Sequence, residues 1–382
     1  MKRNRIALLA GATLLAAMIS AFGDDLSHEC TSWMVFSDLT GNNTNVLHKN
    51  RDAASRKVTV IRNAPESPRK WIGLGNSVCP CMGMNEKGLA GAMNSGEPCV
   101  DPPDNTTGKR TPRILQVILE ECDTAAAAVE KLRELHRAGD YSHGKGGSIF
   151  FFVDRTEGFI CEMTAKVFTV LRYDSGYAFR ANVWRNPGMA QLSRRGPLGY
   201  LDSCGREAVV RAMLNDALDR QKRIDLADIL ALSRQNEPAK DSPLKRSVCT
   251  KSTNSASTLV IHREFPTVLS TMYALVGQPR HALYLPIPVC MEKFDCRQNE
   301  TVWADAAWQR FDKLGPDAAI PEDWTAFEKK AMRDYEKASA EALALLRKGD
   351  EKQAVQTLNR AAAEIWQKAA ALAGIPASGN KE

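Results

Sequence analysis

A cysteine at position 30 stands a few residues beyond an apolar leader, in the run Asp24-Asp25-Leu26-Ser27-His28-Glu29-Cys30-Thr31-Ser32. Cleavage immediately before it would place a thiol and a free α-amine on adjacent carbons of one residue. An α-amine titrates at about 7.7–8.0, against about 10.4 for a lysine, so part of it is neutral near pH 7. It can take the thiol proton and later hand it to a departing amine, which makes Cys30 a nucleophile with its own base attached. Taken alone, the residue reads equally well as one half of a disulfide.

The segments around it bear on that choice. Lys2, Arg3 and Arg5 form a basic start, Ile6 to Phe22 an apolar stretch, and Ser20-Ala21-Phe22-Gly23 offers small residues for cleavage. This reads as a signal peptide over 1–23, because the apolar run falls short of the roughly 20 residues of a spanning helix. A secreted or periplasmic protein is expected, with no stable membrane insertion after leader removal. Glu29 is a poor signal-peptidase context, so removal of residues 24–29 would need a second cut. Export also puts the ten cysteines where disulfides form, and Cys290 with Cys296 is the first candidate bridge.

The 382 residues are 44% hydrophobic and 25% charged, the proportions of a globular chain with a real core. The net charge of +6 is spread without dense basic blocks or interleaved aromatics, which argues against a nucleic-acid partner. Cys79-Pro80-Cys81 lacks the spacer and second pair of a zinc site, and the six histidines are scattered. No metal or other cofactor is expected. A homo-oligomer is compatible with the composition.

Short apolar runs bounded by turn residues predict strands at Thr31–Leu39, Asn45–Lys49 and Lys57–Arg62, with a hairpin over Met82–Asn94 turning at Asn85 to Gly88. Thr111 with Pro112, and Asp123, are expected to start two helices, the second ending near Gly139. Four strands follow at Ser148–Val153, Phe159–Met163, Val167–Arg172 and Tyr177–Asn182. Helices are predicted at Arg206–Leu218 and Leu226–Arg234, then strands at Ser257–His262, Leu269–Val276 and His281–Leu285. From Val302 the chain turns helical, with breaks near Gly315-Pro316 and Gly349-Asp350. Strand blocks separated by helix pairs imply an α+β layered fold over 30–300 and a helical C-terminal extension over 301–382.

Three segments occur together in a telling order: Cys30-Thr31-Ser32, Leu47-His48-Lys49-Asn50-Arg51-Asp52, and Gly83-Met84-Asn85-Glu86-Lys87-Gly88-Leu89-Ala90. The set resembles the choloylglycine hydrolase and penicillin acylase superfamily of N-terminal-nucleophile (Ntn) hydrolases, and within it the isopenicillin-N acyltransferase-like branch. The resemblance runs intermittently from Cys30 to about Pro286. It implies a four-layer αββα sandwich in which the nucleophile begins the first strand, and self-processing that removes residues up to Glu29.

The same resemblance implies roles. Asp52 matches an acidic residue near the nucleophile, where a carboxylate can hold and orient the α-amine. Asn94 and Asn182 match asparagines whose amides serve an oxyanion hole, and Arg206, in Ser203-Cys204-Gly205-Arg206, matches an arginine that orients the nucleophile's surroundings. An arginine three positions before the aspartate is replaced here by Lys49, which cannot form a bidentate fork, and Arg51 is the other cation able to reach the site. His48 does not make a Cys–His protease, since no cysteine lies in a papain-type context.

The expected activity is hydrolysis of a linear, non-peptide N-acyl amide, a small-molecule substrate, through a Cys30 thioester. Transfer of the acyl group to an amine is the alternative within the class. A disulfide-stabilised binding protein on an inactive version of the fold, with Cys30 bridged, is the alternative outside it.

Overall fold

The computed structural model describes residues 29–63, 66–76, 79–102, 108–143, 146–238, 247–291 and 300–376. Two antiparallel sheets form its centre. The first is built from β1 (Cys30–Val35), β2 (Thr44–Asp52), β10 (Tyr177–Arg180), β11 (Thr253–His262), β12 (Thr271–Val276) and β13 (Tyr284–Pro288), in the order β10-β1-β2-β11-β12-β13. The second runs in chain order through β3 (Thr59–Arg62), β4 (Trp71–Asn76), β5 (Cys79–Asn85), β6 (Ala90–Pro98), β7 (Gly146–Val153), β8 (Gly158–Met163) and β9 (Phe168–Tyr173).

Side-chain alternation sorts each strand between two cores. Met34, Leu47, Leu259 and Met272 of the first sheet meet Met82, Ala92, Phe151 and Ile160 of the second. On the outer face of the first sheet, Trp33, Val35 and Val46 pack on Val209, Val210 and Leu214 of α4 (Pro197–Gln221) and on Ile229 and Leu232 of α5 (Leu226–Ser233). The outer face of the second sheet buries Phe150, Phe152 and Cys161 under α2 (Thr111–Glu121) and α3 (Ala125–Arg137). The run Phe150-Phe151-Phe152 thus feeds both cores of its sheet, each ring contributing about 1.5–3 kcal/mol by burial. Three cores between four layers give the αββα order that the resemblance implied.

A single helical turn, α6 (Pro266–Leu269), carries the chain from β11 to β12. The extension is helical as expected: α7 (Val302–Leu314), α8 (Glu322–Arg347) and α9 (Glu351–Leu372), broken at Gly315 (φ 84°) and Gly349 (φ 83°). It covers β13, the edge strand of the first sheet. Trp366 Nε1 donates to Pro286 O at 2.8 Å. Arg234, at the end of α5, makes a two-point ion pair with Glu328 of α8 at 2.6 and 2.7 Å, and Glu328 also accepts from Tyr284 N at 2.7 Å.

Several expectations shift. β1 ends at Val35, because residues 37–40 form a helical turn, α1 (Ser37–Thr40), closed by Gly41 at φ 71°. β4 was not foreseen; its Gly73 and Gly75 let strands approach so closely that a Cβ would lie 2.7 Å from Met82 O and 2.1 Å from Cys79 O respectively. Thr124, not Asp123, caps α3 by accepting from Ala127 N at 3.1 Å, while Asp123 pairs with Arg69 at 2.6 Å. α2 starts at Thr111 with Arg110 at its cap, and α4 starts well before Arg206. The leader, residues 24–28 and Cys296 lie outside the described residues.

Candidate active site

The space between the sheets changes character along β1. On the face turned toward the second sheet, the cross-strand sets are Met34, Leu47 and Leu259, then Ser32, Lys49 and Ser257, then Cys30, Arg51 and Ser255. An apolar interior therefore opens into a polar end, and Cys30 sits at that end. Cys30 is nevertheless buried and makes no disulfide among the described residues.

Across this gap the sheets are stitched by Asn94 of β6. Its Oδ1 accepts from Ser32 Oγ at 2.8 Å and from Lys49 Nζ at 2.8 Å. Its Nδ2 donates to Arg180 O and Ala181 O, both at 3.2 Å. Lys49 is fully buried, so this oxygen offsets part of the cost of taking its Nζ out of water. Both amide hydrogens of Asn94 are committed to main-chain carbonyls, which differs from the oxyanion geometry expected of it. In this arrangement Asn94 positions Lys49 and β1.

The Glu29–Cys30 peptide is gripped on every side. Glu29 O accepts from Asp52 N at 2.8 Å, the end of the β1–β2 ladder. Cys30 N donates to Asn182 Oδ1 at 2.7 Å, and Cys30 O accepts from Arg206 Nη1 at 2.5 Å. Asn182 lies just beyond β10 and is fixed by donating Nδ2–H to Ser95 O at 2.8 Å and accepting from Arg206 Nη2 at 3.1 Å. The bonded partners force the orientation of this amide, since Cys30 N can only donate and Ser95 O can only accept. The Asn182 oxygen therefore holds the main-chain nitrogen of Cys30.

Arg206 is the hub. Its side chain is fully buried on α4 and donates also to Thr31 Oγ1 at 2.9 Å, Asp202 Oδ2 at 2.9 Å and Ser203 Oγ at 3.2 Å, and it pairs with the Glu29 carboxylate. Burial alone would lower its pKa, but Glu29, Asp202 and Asp52 outweigh that and hold it more firmly charged than usual. The sequence placed Arg206 at a helix start; it lies inside α4, close enough to Asp52 to feel its charge.

Asp52 accepts from Thr253 Oγ1 at 2.5 Å and from Thr250 Oγ1 at 3.1 Å, with its main-chain N–H on the Glu29 carbonyl. Arg51 shares the face of Cys30 but donates to Asn76 Oδ1 at 3.0 Å and Asn254 Oδ1 at 3.2 Å, so its guanidinium is held by β4 and β11. His48 points to the opposite face. Its ring stacks on Trp33, Nε2–H donates to Asn50 Oδ1 at 2.9 Å, and Nδ1 accepts from Thr258 Oγ1 at 2.7 Å. Burial pushes its pKa down to about 3, Asn50 raises it and Lys49 lowers it further, which leaves a neutral structural imidazole. Cys249, near Asp52, is pushed up to about 12, chiefly by burial, and is an inert thiol.

Three groups were missed by the sequence. Glu29 is buried, with its carboxylate between Arg206 and Arg195 (2.6 Å to Arg195 Nη2). Arg195 precedes α4 in Arg194-Arg195-Gly196, a pattern that reads as a solvated turn, yet its side chain is 6% exposed. Glu162 of β8 is buried against Arg180 at 2.8 Å and accepts from the N–H groups of Arg185 and Asn186, fixing the segment that carries Asn182. A carboxylate in an alternating strand is the only signal the sequence gave for it.

No protein-family model matches the chain, and no curated protein matches it either. Solved structures similar to it include a mutant conjugated bile acid hydrolase from Clostridium perfringens (TM-score 0.45, 14% identity, covering 69% of this chain and 93% of that one). Others are a Caenorhabditis elegans N-acylethanolamine-hydrolyzing acid amidase ortholog (0.40, 11%, 62% and 94%) and penicillin V acylase from Agrobacterium tumefaciens (0.42, 15%, 68% and 86%). Identities and TM-scores this low assign no activity to this chain.

Proposed function

We propose that the chain is a self-processing, secreted or periplasmic cysteine amidohydrolase in which Cys30, once N-terminal, attacks linear N-acyl amides. One observation carries this: the nitrogen of Cys30 is held 2.7 Å from Asn182 Oδ1 in a buried, arginine-braced setting, one carbon away from a thiol that makes no disulfide among the described residues. A structural strand end needs neither a buried arginine on its carbonyl nor an asparagine dedicated to its nitrogen.

In the precursor the Cys30 thiol attacks the Glu29 carbonyl, whose oxygen already accepts from Asp52 N. The acyl group moves from nitrogen to sulfur, and water releases it. In the mature enzyme the freed amine, anchored by Asn182, accepts the thiol proton as sulfur attacks a substrate carbonyl, and returns it to the leaving amine. Asp52 and Arg206 keep the first strand and its amine in place. Water then resolves the thioester.

Incubating the purified wild-type chain with a panel of N-acyl p-nitroanilides, quenching in acid and weighing the Cys30 peptide should reveal a thioester of the acyl mass. Turnover retained in Cys30→Ala would overturn the assignment.

A further inference from the structure

The Glu29 carboxylate sits in a cradle that its own departure would leave unbalanced. Arg195 and Arg206, 6% and 0% exposed, each bind one of its oxygens. With Glu29 gone, Arg206 keeps Asp202 at 2.9 Å. Among the described residues Arg195 keeps only a 3.5 Å contact from Nη1 to Asn182 O, and its buried Nε already has no hydrogen-bond partner there. Glu97 is near enough for its charge to be felt, but burial raises its pKa, and no ion pair joins it to Arg195 among the described residues. A buried guanidinium without a counter-ion is costly, by several kcal/mol in general. The cradle is therefore made for an anion.

We infer that the mature site selects amides whose acyl group ends in a carboxylate at the reach of a glutaryl chain, held by Arg195 and Arg206. This rests on the self-processing reading above. The first thioester the chain makes carries Glu29 as its acyl group, and in that group three carbons separate the carbonyl from the carboxylate. A glutaryl amide reproduces this spacing without the propeptide. Sγ attacks its carbonyl, the C–N bond breaks, and the amine leaves with the proton the thiol gave up. Water then attacks the thioester, the C–S bond breaks, and glutaric acid departs as sulfur regains a proton. A planar fork suits the carboxylate, which explains why arginines and not lysines line the cradle.

The test uses the full chain after processing, its N-terminus verified by mass. Glutaryl-p-nitroanilide is compared with the equally long but uncharged pentanoyl-p-nitroanilide, and with the succinyl and adipoyl homologues. The expected kcat/KM for glutaryl exceeds that for pentanoyl by about 100-fold, with the optimum at three methylenes, and Arg195→Gln collapses the ratio to within about threefold. Equal rates on glutaryl and pentanoyl substrates overturn the inference and leave the hydrolase intact. If no anilide is cleaved, calorimetry with glutarate decides: saturable binding absent with pentanoate and lost in Arg195→Gln supports the cradle, and no binding overturns it. A chain that never processes to Cys30 overturns both this inference and the reading beneath it.

Discussion

Replacing Asn182 by aspartate separates an anchor for the amine from a donor to an oxyanion. The isosteric carboxylate still accepts from Cys30 N, 2.7 Å away, and from Arg206 Nη2 at 3.1 Å, but no longer donates to Ser95 O. A full charge at 2.7 Å from the ammonium is worth about 6 kcal/mol at an effective dielectric of about 20. Water reaching the freed amine screens this toward the roughly 1.5 kcal/mol of bulk solvent, and Arg206 repels the ammonium equally in both enzymes, so the amine pKa rises by at least about 1 unit. The acid limb of kcat/KM should move up by that amount, with the maximal rate above it kept within about tenfold. Asn182→Ala, which lets the amine wander, should lose about 2–4 kcal/mol of transition-state stabilisation at every pH. Stopped assays over pH 5–10 on processed protein resolve the two. An acid limb unmoved in Asn182→Asp, with turnover falling as far as in Asn182→Ala, would refute the anchoring role and restore the oxyanion one.

Asp52→Asn should keep the fold but lose at least about tenfold in kcat, since its hydroxyl partners Thr250 and Thr253 hold the end of β2 beside the nucleophile; steady-state kinetics on folded protein checks this. His48→Gln should retain the neutral acid limb, because the imidazole faces away from Cys30 and stays neutral. His48 has a folded pKa near 3 against 6.5 unfolded, so its stabilisation is complete above about pH 6.5 and is lost as pH falls toward 3; Tm measured against pH should show a shallower slope in that window for His48→Gln. Glu328→Ala strands the buried Arg234 and the Tyr284 N–H and should cost about 3–5 kcal/mol in urea unfolding, whereas an unchanged midpoint would mean the extension is not coupled to the sheet.

Much of the framework was legible because its signals are local. Alternation marked both strand blocks, the Asn85 to Gly88 turn marked the β5–β6 hairpin, and Gly315 and Gly349 marked the helix breaks. β4 escaped because Gly73 and Gly75, needed for close strand approach, erase the apolar pattern of a strand. The start of α4 escaped because Gly199 and Gly205 break its periodicity while the helix is buried along much of its length. In the site, Cys30, Lys49, Asn94, Asn182 and Arg206 come together, with Asp52 beside them. The Glu29–Arg195 pair, 166 residues apart, cannot be read from either neighbourhood, where Glu29 reads only as the last residue of a propeptide. The direction of each asparagine amide is likewise a property of its distant partners, Ser95 for one and Arg180 with Ala181 for the other.

The most direct test of the nucleophile is the N-terminus of the purified protein. Edman sequencing with intact mass should show wild type beginning at Cys30, and Cys30→Ala should retain residues up to Glu29, because only the thiol can attack the Glu29 carbonyl that Asp52 N holds at 2.8 Å. Wild-type protein beginning stably at Asp24, or a Cys30→Ala variant trimmed to position 30, would contradict the account.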